Sequence, residues 1–245
     1  PTEPIWLDKK AGIYNNTDHY GALLDNPYMY ASEQQNLLMS SSVFTHINAI
    51  YNITDALSYD ITGFAEKSNF QDADYENDWL EPNRPNASRR SWENFNWRLI
   101  NKIEYDKTFN EDHNINITGV YEAESSEYWS LQGSAVDLPV PEVSQYYDVG
   151  MADAKNAGSS FSRSSRLAYL GRLNYNFRSN YYITGSYRVD GKSGPEDRVE
   201  ENIYGGFPSF AVSWRASEEP FIEGMGFFNN LKFRAGWGLT GNPAD

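Results

Sequence analysis

The sequence contains no cysteine and no run of about 18 apolar residues, and both absences narrow the classes of protein to which it can belong. Without cysteine there is no disulfide, no thiolate ligand for zinc and no thiol nucleophile. Without a long apolar run there is no candidate for a membrane-spanning helix. Basic residues are also scarce, with 20 Lys and Arg against 34 Asp and Glu and a net charge of −14. That balance argues against a nucleic-acid partner, because phosphate binding requires clustered basic side chains.

Histidine and nucleotide-binding motifs are scarce as well. The three histidines, His19, His46 and His113, lie far apart and show no metal-ligand spacing. The Gly-x-Gly at Gly224 and Gly226 lacks the strand-to-helix context of a nucleotide-binding loop. The sequence therefore predicts neither a metal nor a cofactor. It has no initiating Met, signal peptide or anchor motif, so we expect it to be an internal piece of a longer protein.

What the sequence has in abundance is alternation of apolar and polar side chains, together with 16% aromatic residues. A β-strand that crosses a bilayer needs about 9–11 residues, and outer-membrane barrels have short turns at one rim and long loops at the other. The pattern predicts an all-β, antiparallel, up-and-down transmembrane β-barrel. Residues 1–42 show no sustained period and are predicted to be a long extracellular loop region, with a short helix around 31–38. The strands are predicted near 43–53, 57–66, 94–105, 113–124, 166–177, 181–190, 207–216 and 231–240.

The alternation assigns side chains to two faces of the barrel and to its loops. Arginines recur on the polar face, where they would meet the lumen or a plug, whereas large aromatic residues on the other face would meet lipid or form an interfacial girdle. Aromatic residues in the predicted loops 67–92 and 125–164 would contact a ligand or a lid protein, or would fold the loops onto themselves. The predicted lumen or plug-facing residues are Arg98, Arg172, Arg188, Arg215 and Arg234. The predicted loop aromatics are Trp79, Trp129, Tyr146 and Tyr147. The predicted lipid-facing or girdle residues are Tyr51, Trp97, Tyr105, Tyr175, Phe177, Phe210, Trp214 and Trp237.

Alternation alone leaves a second architecture open, because soluble sandwiches also alternate inward and outward residues. The alternative is a secreted soluble β-sandwich or propeller that binds or cleaves carbohydrate. The arginines within the strands and the aromatic residues near the strand ends favour the barrel.

Two stretches resemble a known family. Residues 181–221 contain a strand ending in Arg-x-Asp-Gly, a loop closing on Gly-Phe-Pro-Ser, and a strand ending in Trp-Arg-x-Ser-Glu-Glu. Residues 230–242 contain a Leu-Lys-x-Arg strand that closes on Thr-Gly-Asn. In this order and spacing they resemble the barrel of SusC/RagA-type TonB-dependent transporters, and Asn26-Pro27 upstream is compatible with it.

The resemblance implies a barrel of about 22 strands in the outer membrane, closed by an N-terminal plug, of which this chain would supply about eight strands. It also implies energy from TonB through a plug segment outside this chain, a SusD-like surface lipoprotein as lid, and an oligosaccharide or peptide as cargo. No enzymatic activity is implied.

Two acidic patterns suggest chemistry of their own. Asp72, Asp74, Glu76 and Asp78 are either calcium ligands or the solvated acids of a loop, and they lack the Gly and distal Glu of an EF-hand. Glycoside hydrolysis needs two carboxyl groups, which the pairs Glu122 with Glu124 and Glu218 with Glu219 could supply. Such pairs are common in acidic proteins, so we predict that the chain is not an enzyme.

Overall fold

The computed structural model of the chain describes residues 5–15, 26–77, 85–139, 145–152, 154–193 and 203–241. The strands are β1 (Trp6–Asp8), β2 (Ile13–Tyr14), β3 (Gln34–Asn52), β4 (Leu57–Glu76), β5 (Asn86–Phe109), β6 (His113–Val136), β7 (Ala154–Phe177), β8 (Tyr181–Ser193), β9 (Ile203–Arg215) and β10 (Lys232–Gly238). The helices are α1 (Pro27–Glu33) and α2 (Pro220–Glu223), with 3₁₀ turns at Val149–Met151 and Ala216–Glu218.

Strands β3 to β10 form one eight-stranded sheet, in which every strand lies beside its neighbour in sequence. The two-stranded sheet β1–β2 is separate. The pairs β7–β8, β8–β9 and β9–β10 are antiparallel and in continuous register. The prediction of an all-β, antiparallel, up-and-down sheet is therefore confirmed.

Within the part of the chain that the structure describes, no helix has the length and apolar character needed to cross a membrane.

One end of the large sheet carries three tight turns, at residues 53–56, 110–112 and 178–180. We call this end the short-turn rim. In the turn at 178–180 the backbone is left-handed at Arg178 and Ser179, and the amide of Asn180 donates to the carbonyl of Phe177 over 3.0 Å. Two consecutive left-handed residues suit the right-handed twist of the flanking strands.

Backbone hydrogen bonds also join each of these turns to the next hairpin. Asp106 N donates to Ala56 O over 2.8 Å, and Arg178 N donates to Asp112 O over 2.7 Å. Arg215 N donates to Asn180 O over 2.8 Å. The backbone groups of a turn therefore find some of their partners outside their own hairpin.

Strands β3 to β7 are longer than the alternation in the sequence indicated. The first begins at Gln34 rather than 43, β4 continues to Glu76 and β6 to Val136. The connections predicted over 67–92 and 125–164 shrink accordingly. The helix predicted around 31–38 is observed as α1 at Pro27–Glu33, whereas residues 34–38 belong to β3. The added stretches, such as Lys67–Glu76, carry polar residues on both faces, so they form strand through backbone pairing without an apolar period that would mark them in the sequence.

The chain divides into two compact units. The first unit comprises residues 1–42, 68–94 and 128–161, and the second comprises 43–67, 95–127 and 162–245. The first unit has a small buried cluster, onto which Tyr146 and Val149 of the β6–β7 connection pack. The members of that cluster are Tyr75, Ala87, Ala135, Leu138 and Ala152.

Asn26 organises the start of the first unit. Its side-chain oxygen accepts from the amides of Tyr28 and Met29, which caps α1, and its Nδ2 donates to Ile5 O over 2.8 Å and to Asn15 O over 3.0 Å. One buried side chain thus joins the helix to both flanks of the β1–β2 hairpin.

Candidate functional site

The second unit presents one polar and one apolar face, and hydrogen bonds identify which residues share the polar one. Asn48 of β3 donates to Asp60 of β4 over 2.6 Å, and Asn116 of β6 donates to Glu104 of β5 over 2.8 Å. Even-numbered residues therefore share a face from β3 to β6, because side chains alternate along a strand. Asn174 of β7 continues that face by donating to Asn116 over 3.2 Å.

A closed ring of ion pairs lies on this polar face. Arg98 of β5 contacts Glu122 at 3.3 Å and Glu124 at 2.8 Å, both on β6. Glu124 also contacts Arg166 of β7 at 3.4 Å, and Arg166 contacts Asp190 of β8 at 3.8 Å. We call these residues, with Arg188, the ion-pair ring.

Arg188 closes the ring. It holds Asp190 through two hydrogen bonds, from Nε at 2.7 Å and from Nη2 at 2.8 Å, and its Nη2 lies 3.6 Å from Glu122. Asp190 is buried. Three guanidinium groups and three carboxylates on four strands give a ring without net charge.

Beside the ring lies a cavity of about 610 Å³. Arg98, Glu124 and Arg166 contribute to its lining, and so does Lys192. Lys192 has no ion-pair partner among the described residues, so it adds a positive charge to a wall that is otherwise balanced. The Nε of Arg166 is buried and makes no hydrogen bond there. Further polar side chains lining the cavity are His46, Thr62, Asn96, Ser126 and Ser164.

This chemistry suits binding rather than bond cleavage. Hydroxyls, amides, the ammonium of Lys192 and paired carboxylates can hydrogen-bond to the polar groups of a sugar or a peptide. Glu122 and Glu124, the pair of carboxylates that suggested glycoside hydrolysis, both belong to the ion-pair ring. Carboxylates engaged with guanidinium groups are poorly placed to act as a proton donor and a nucleophile.

The structure separates the five predicted lumen arginines into two groups. Arg98 and Arg188 belong to the ion-pair ring, whereas Arg172, Arg215 and Arg234 have no ion-pair partner among the described residues. Arg215 and Arg234 are nevertheless on the polar face, because Arg234 pairs with Ser213 and Lys232 with Arg215 in register. The ring members that the sequence analysis did not single out are Arg166 and Asp190. Arg166 stands at the first position of a predicted strand, where the sequence gives no indication of its partners.

The other face of the second unit is apolar and exposed. Ile183 is opposite Val212, which is opposite Ala235, and Phe210 is opposite Trp237. Phe210 is 50% exposed and Trp237 62%. The predicted lipid-facing residues that register or strand parity assigns to this face are Tyr51, Trp97, Tyr105, Tyr175, Phe177, Phe210, Trp214 and Trp237.

Aromatic side chains cross this apolar face in a row along the short-turn rim. Phe177 is opposite Tyr181, Tyr181 is opposite Trp214, and Trp214 is opposite Phe233. His113 adds a ring at 4.8 Å from that of Phe177. We call these five residues the rim row, and their position at the strand ends is the one that aromatic girdles occupy at a membrane interface.

Of the four predicted loop aromatics, the structure places Tyr146 and Tyr147 in a loop. Trp79 lies outside the described residues, and Trp129 stands in β6 rather than in a loop, because that strand continues to Val136. Tyr146 and Tyr147 do lie in the β6–β7 connection, with their rings 4.4 Å apart. The hydrogen bond that Tyr146 donates to Tyr147 raises the pKa of Tyr146 above its ordinary value.

The acidic run of β4 also has partners in the structure. Asp74 accepts from Asn36, and Glu76 accepts from Gln34 at 3.3 Å and from Asn86 at 3.0 Å. Asp78 lies outside the described residues. Across the part of the chain that is described, no group of three or more His, Asp or Glu side chains is arranged to hold a metal ion.

The curated proteins that resemble the chain in sequence are TonB-dependent receptors. No protein-family model matches the chain. It is 27% identical to TonB-dependent receptor P3 of Formosa agariphila over 95% of its own length and 24% of the relative. It is 39% identical to TonB-dependent receptor SusC of Bacteroides thetaiotaomicron over 33% of its length and 8% of the relative.

Solved structures with a similar fold include the RagAB peptide importer in two states. The open-open state matches with a TM-score of 0.76 at 17% identity, over 93% of this chain and 25% of that one. The closed-closed state matches with a TM-score of 0.74 at 15% identity, over 93% and 26%. The chain thus spans about a quarter of the length of P3 and of the matched RagAB chains.

Proposed function

Because the chain is a barrel segment of a SusC/RagA-type TonB-dependent receptor and lies in the outer membrane, we propose that it forms part of the wall of a nutrient importer. The cargo is a glycan fragment, captured with the help of a SusD-like surface lipoprotein. TonB supplies the energy through a plug segment outside these residues. In this proposal residues 1–42 and the long connections face the cell exterior, the polar face lines the lumen, and the chain has no catalytic role.

The observation that carries the proposal is the ion-pair ring beside the cavity that Lys192 lines. A wall of paired charges beside a cavity lined by polar side chains suits the lumen of a large barrel, which leaves room for water and solute. The ring balances its own charges, which leaves Lys192 and the neighbouring hydroxyl and imidazole groups for hydrogen bonds to cargo.

The apolar face argues against the soluble alternative. A sandwich or propeller would bury Phe210, Trp237 and Val212 between its layers. Here all three are exposed on the sheet, as lipid contact requires.

The test is uptake by cells that carry the full-length receptor with Lys192→Gln. We expect TonB-dependent uptake of a fluorescent oligosaccharide to fall several-fold, because the variant removes the uncompensated charge beside the cavity. Lys107→Gln is the matched control, since Lys107 is an exposed lysine of β5 on the opposite face. Surface abundance is measured in parallel.

Three outcomes have different meanings. Equal uptake by the Lys192 variant and the wild type would remove the cavity from the cargo path. Uptake of a labelled peptide but not of the oligosaccharide would assign peptide as the cargo. Uptake that persists without TonB would overturn the importer proposal as a whole.

A further inference from the structure

We propose that the segment 219–228, between β9 and β10, inserts its apolar side chains into the membrane interface at the short-turn rim. The occupant of this surface is phospholipid at the boundary between head groups and acyl chains. The proposal concerns how the barrel is held in the membrane and does not depend on any cargo.

The segment exposes more apolar surface than a soluble connection would. Phe227 is 81% exposed, Met225 62% and Phe221 59%, and Phe228 is also exposed. Phe227 and Phe228 pack edge to face with their ring centres 5.0 Å apart. Such a concentration of exposed apolar side chains in one short segment marks an interaction surface.

Two hydrogen bonds fix the start of the segment on the lipid side of the sheet. Glu219 accepts from the hydroxyl of Tyr181 over 2.6 Å and from Trp214 Nε1 over 3.2 Å. Tyr181 and Trp214 are neighbours in the rim row on the apolar face. The segment therefore begins beside the aromatic residues that mark the membrane boundary, and its surface continues theirs.

Length distinguishes this connection from the others at the same rim. The turns at 53–56, 110–112 and 178–180 are three or four residues long, and Ile53 is the one large apolar side chain among them. The connection after β9 runs from 216 to 231 and contains α2. It is the one connection at this rim, among the described residues, with both the length and the apolar content for insertion.

The charge of the segment indicates the type of contact. Its ionisable groups are acidic, namely Glu219 and Glu223, and it contains no Lys or Arg. Attraction to anionic head groups would require basic residues, so binding depends on the aromatic and aliphatic side chains alone. We therefore expect the same insertion in vesicles of neutral and of anionic phospholipid.

The test uses the full-length receptor, freed of any other reactive cysteine, in phosphatidylcholine vesicles. A nitroxide is attached at Phe227→Cys, and its collisions with molecular oxygen and with a water-soluble nickel chelate are measured by power-saturation EPR. The control label at Asp55→Cys lies in the turn at 53–56 of the same rim. Correct assembly of both variants is checked by heat-modifiable migration on a gel.

We expect the Phe227 label to collide at least several-fold more with oxygen relative to nickel than the Asp55 label does. Adding phosphatidylglycerol should leave that ratio unchanged. A ratio equal to that of the control would place the segment in water and overturn the proposal. Exclusion of both reagents would place it against protein, such as a plug, and would equally overturn it.

Discussion

Arg98 holds a single oxygen of Glu124, with Nε at 2.9 Å and Nη2 at 2.8 Å from Oε2. The other oxygen, Oε1, remains for Arg166, whose Nη1 lies 3.4 Å away. Glu124 therefore links β5 to β7 from the strand between them. The order of the ion-pair ring depends on this sharing, because no other single residue of the ring contacts arginines from both flanking strands of β6 at these distances.

Glu124→Gln should loosen the ring while leaving the barrel folded. The side chains concerned are partly exposed, so the loss of unfolding free energy is expected to be about 0.2–1 kcal/mol per broken pair. Thermal unfolding of the full-length receptor in detergent measures it. Glu111→Gln, at an exposed turn position, is the control. A midpoint as low for the Glu111 variant as for the Glu124 variant would contradict the ring.

Val212→Arg should impair membrane assembly, whereas Ser213→Arg should be tolerated. Val212 is opposite Ile183 and Ala235 on the apolar face, and Ser213 is opposite Tyr182 and Arg234 on the polar face. An arginine that faces lipid near the bilayer midplane costs about 2–4 kcal/mol. The fraction of receptor that folds into vesicles, read by heat-modifiable migration, provides the measurement. Equal folding of the two variants would reject the assignment of faces.

Order in the connection after β9 should depend on pH through Glu219. The hydrogen bonds from Tyr181 and Trp214 hold the pKa of Glu219 below its ordinary value. Because the pKa of Glu219 is lower in the folded state, the ionised carboxylate stabilises the folded connection fully at a pH above the ordinary glutamate pKa. That stabilisation is lost as the pH falls through the lowered pKa of the folded state. Amide exchange of residues 216–226, corrected for its intrinsic pH dependence, should therefore accelerate in acid.

Two variants isolate that effect. Glu219→Gln should exchange faster at neutral pH and lose the acid dependence, because it cannot ionise. Glu223→Gln should behave like the wild type, since Glu223 makes no side-chain bond to the rim row among the described residues. Acid acceleration that survives in the Glu219 variant would assign the titration to another group.

Asn26→Ala should loosen the start of the first unit. It removes the cap of α1, which is worth about 0.5–2 kcal/mol, and it removes the two hydrogen bonds that Nδ2 of Asn26 donates to the carbonyls of Ile5 and Asn15. Asn26→Asp keeps the capping oxygen and loses the donor, so it should fall between the alanine variant and the wild type. Hydrogen exchange of residues 5–15 and 27–33 is the readout. An aspartate variant no better than alanine would mean that the cap contributes nothing.

The sequence predicted the faces of the strands well and their ends poorly, for one physical reason. Alternation of apolar and polar residues reveals a strand in the sequence only where the two faces of that strand meet different surroundings, as at Phe210 and Ser209. In β6 beyond Ser125 polar residues such as Ser126 and Glu127 occupy both faces, and Trp129 was therefore assigned to a loop although the backbone pairing continues. Hydrogen bonding between strands needs no apolar period, so it leaves no pattern there to read.

The same distinction applies to the candidate site. Arg98 and Arg188 could be assigned to the polar face from their parity alone. The contacts within the ion-pair ring depend on the stagger between strands. Stagger decides that Arg98 meets Glu122 and Glu124, and that Arg166 completes the ring. Stagger is set by the turns and by pairing across the whole sheet, which a single strand's sequence does not contain.

The bonds between neighbouring turns at the short-turn rim bear on the order in which the sheet is built. The carbonyl of Ala56 accepts from the amide of Asp106, that of Asp112 from Arg178, and that of Asn180 from Arg215. Each of these carbonyls therefore gains its partner only when the following hairpin docks. Docking of the hairpins in chain order therefore satisfies each of these turn carbonyls as the sheet grows, together with the edge of the neighbouring strand.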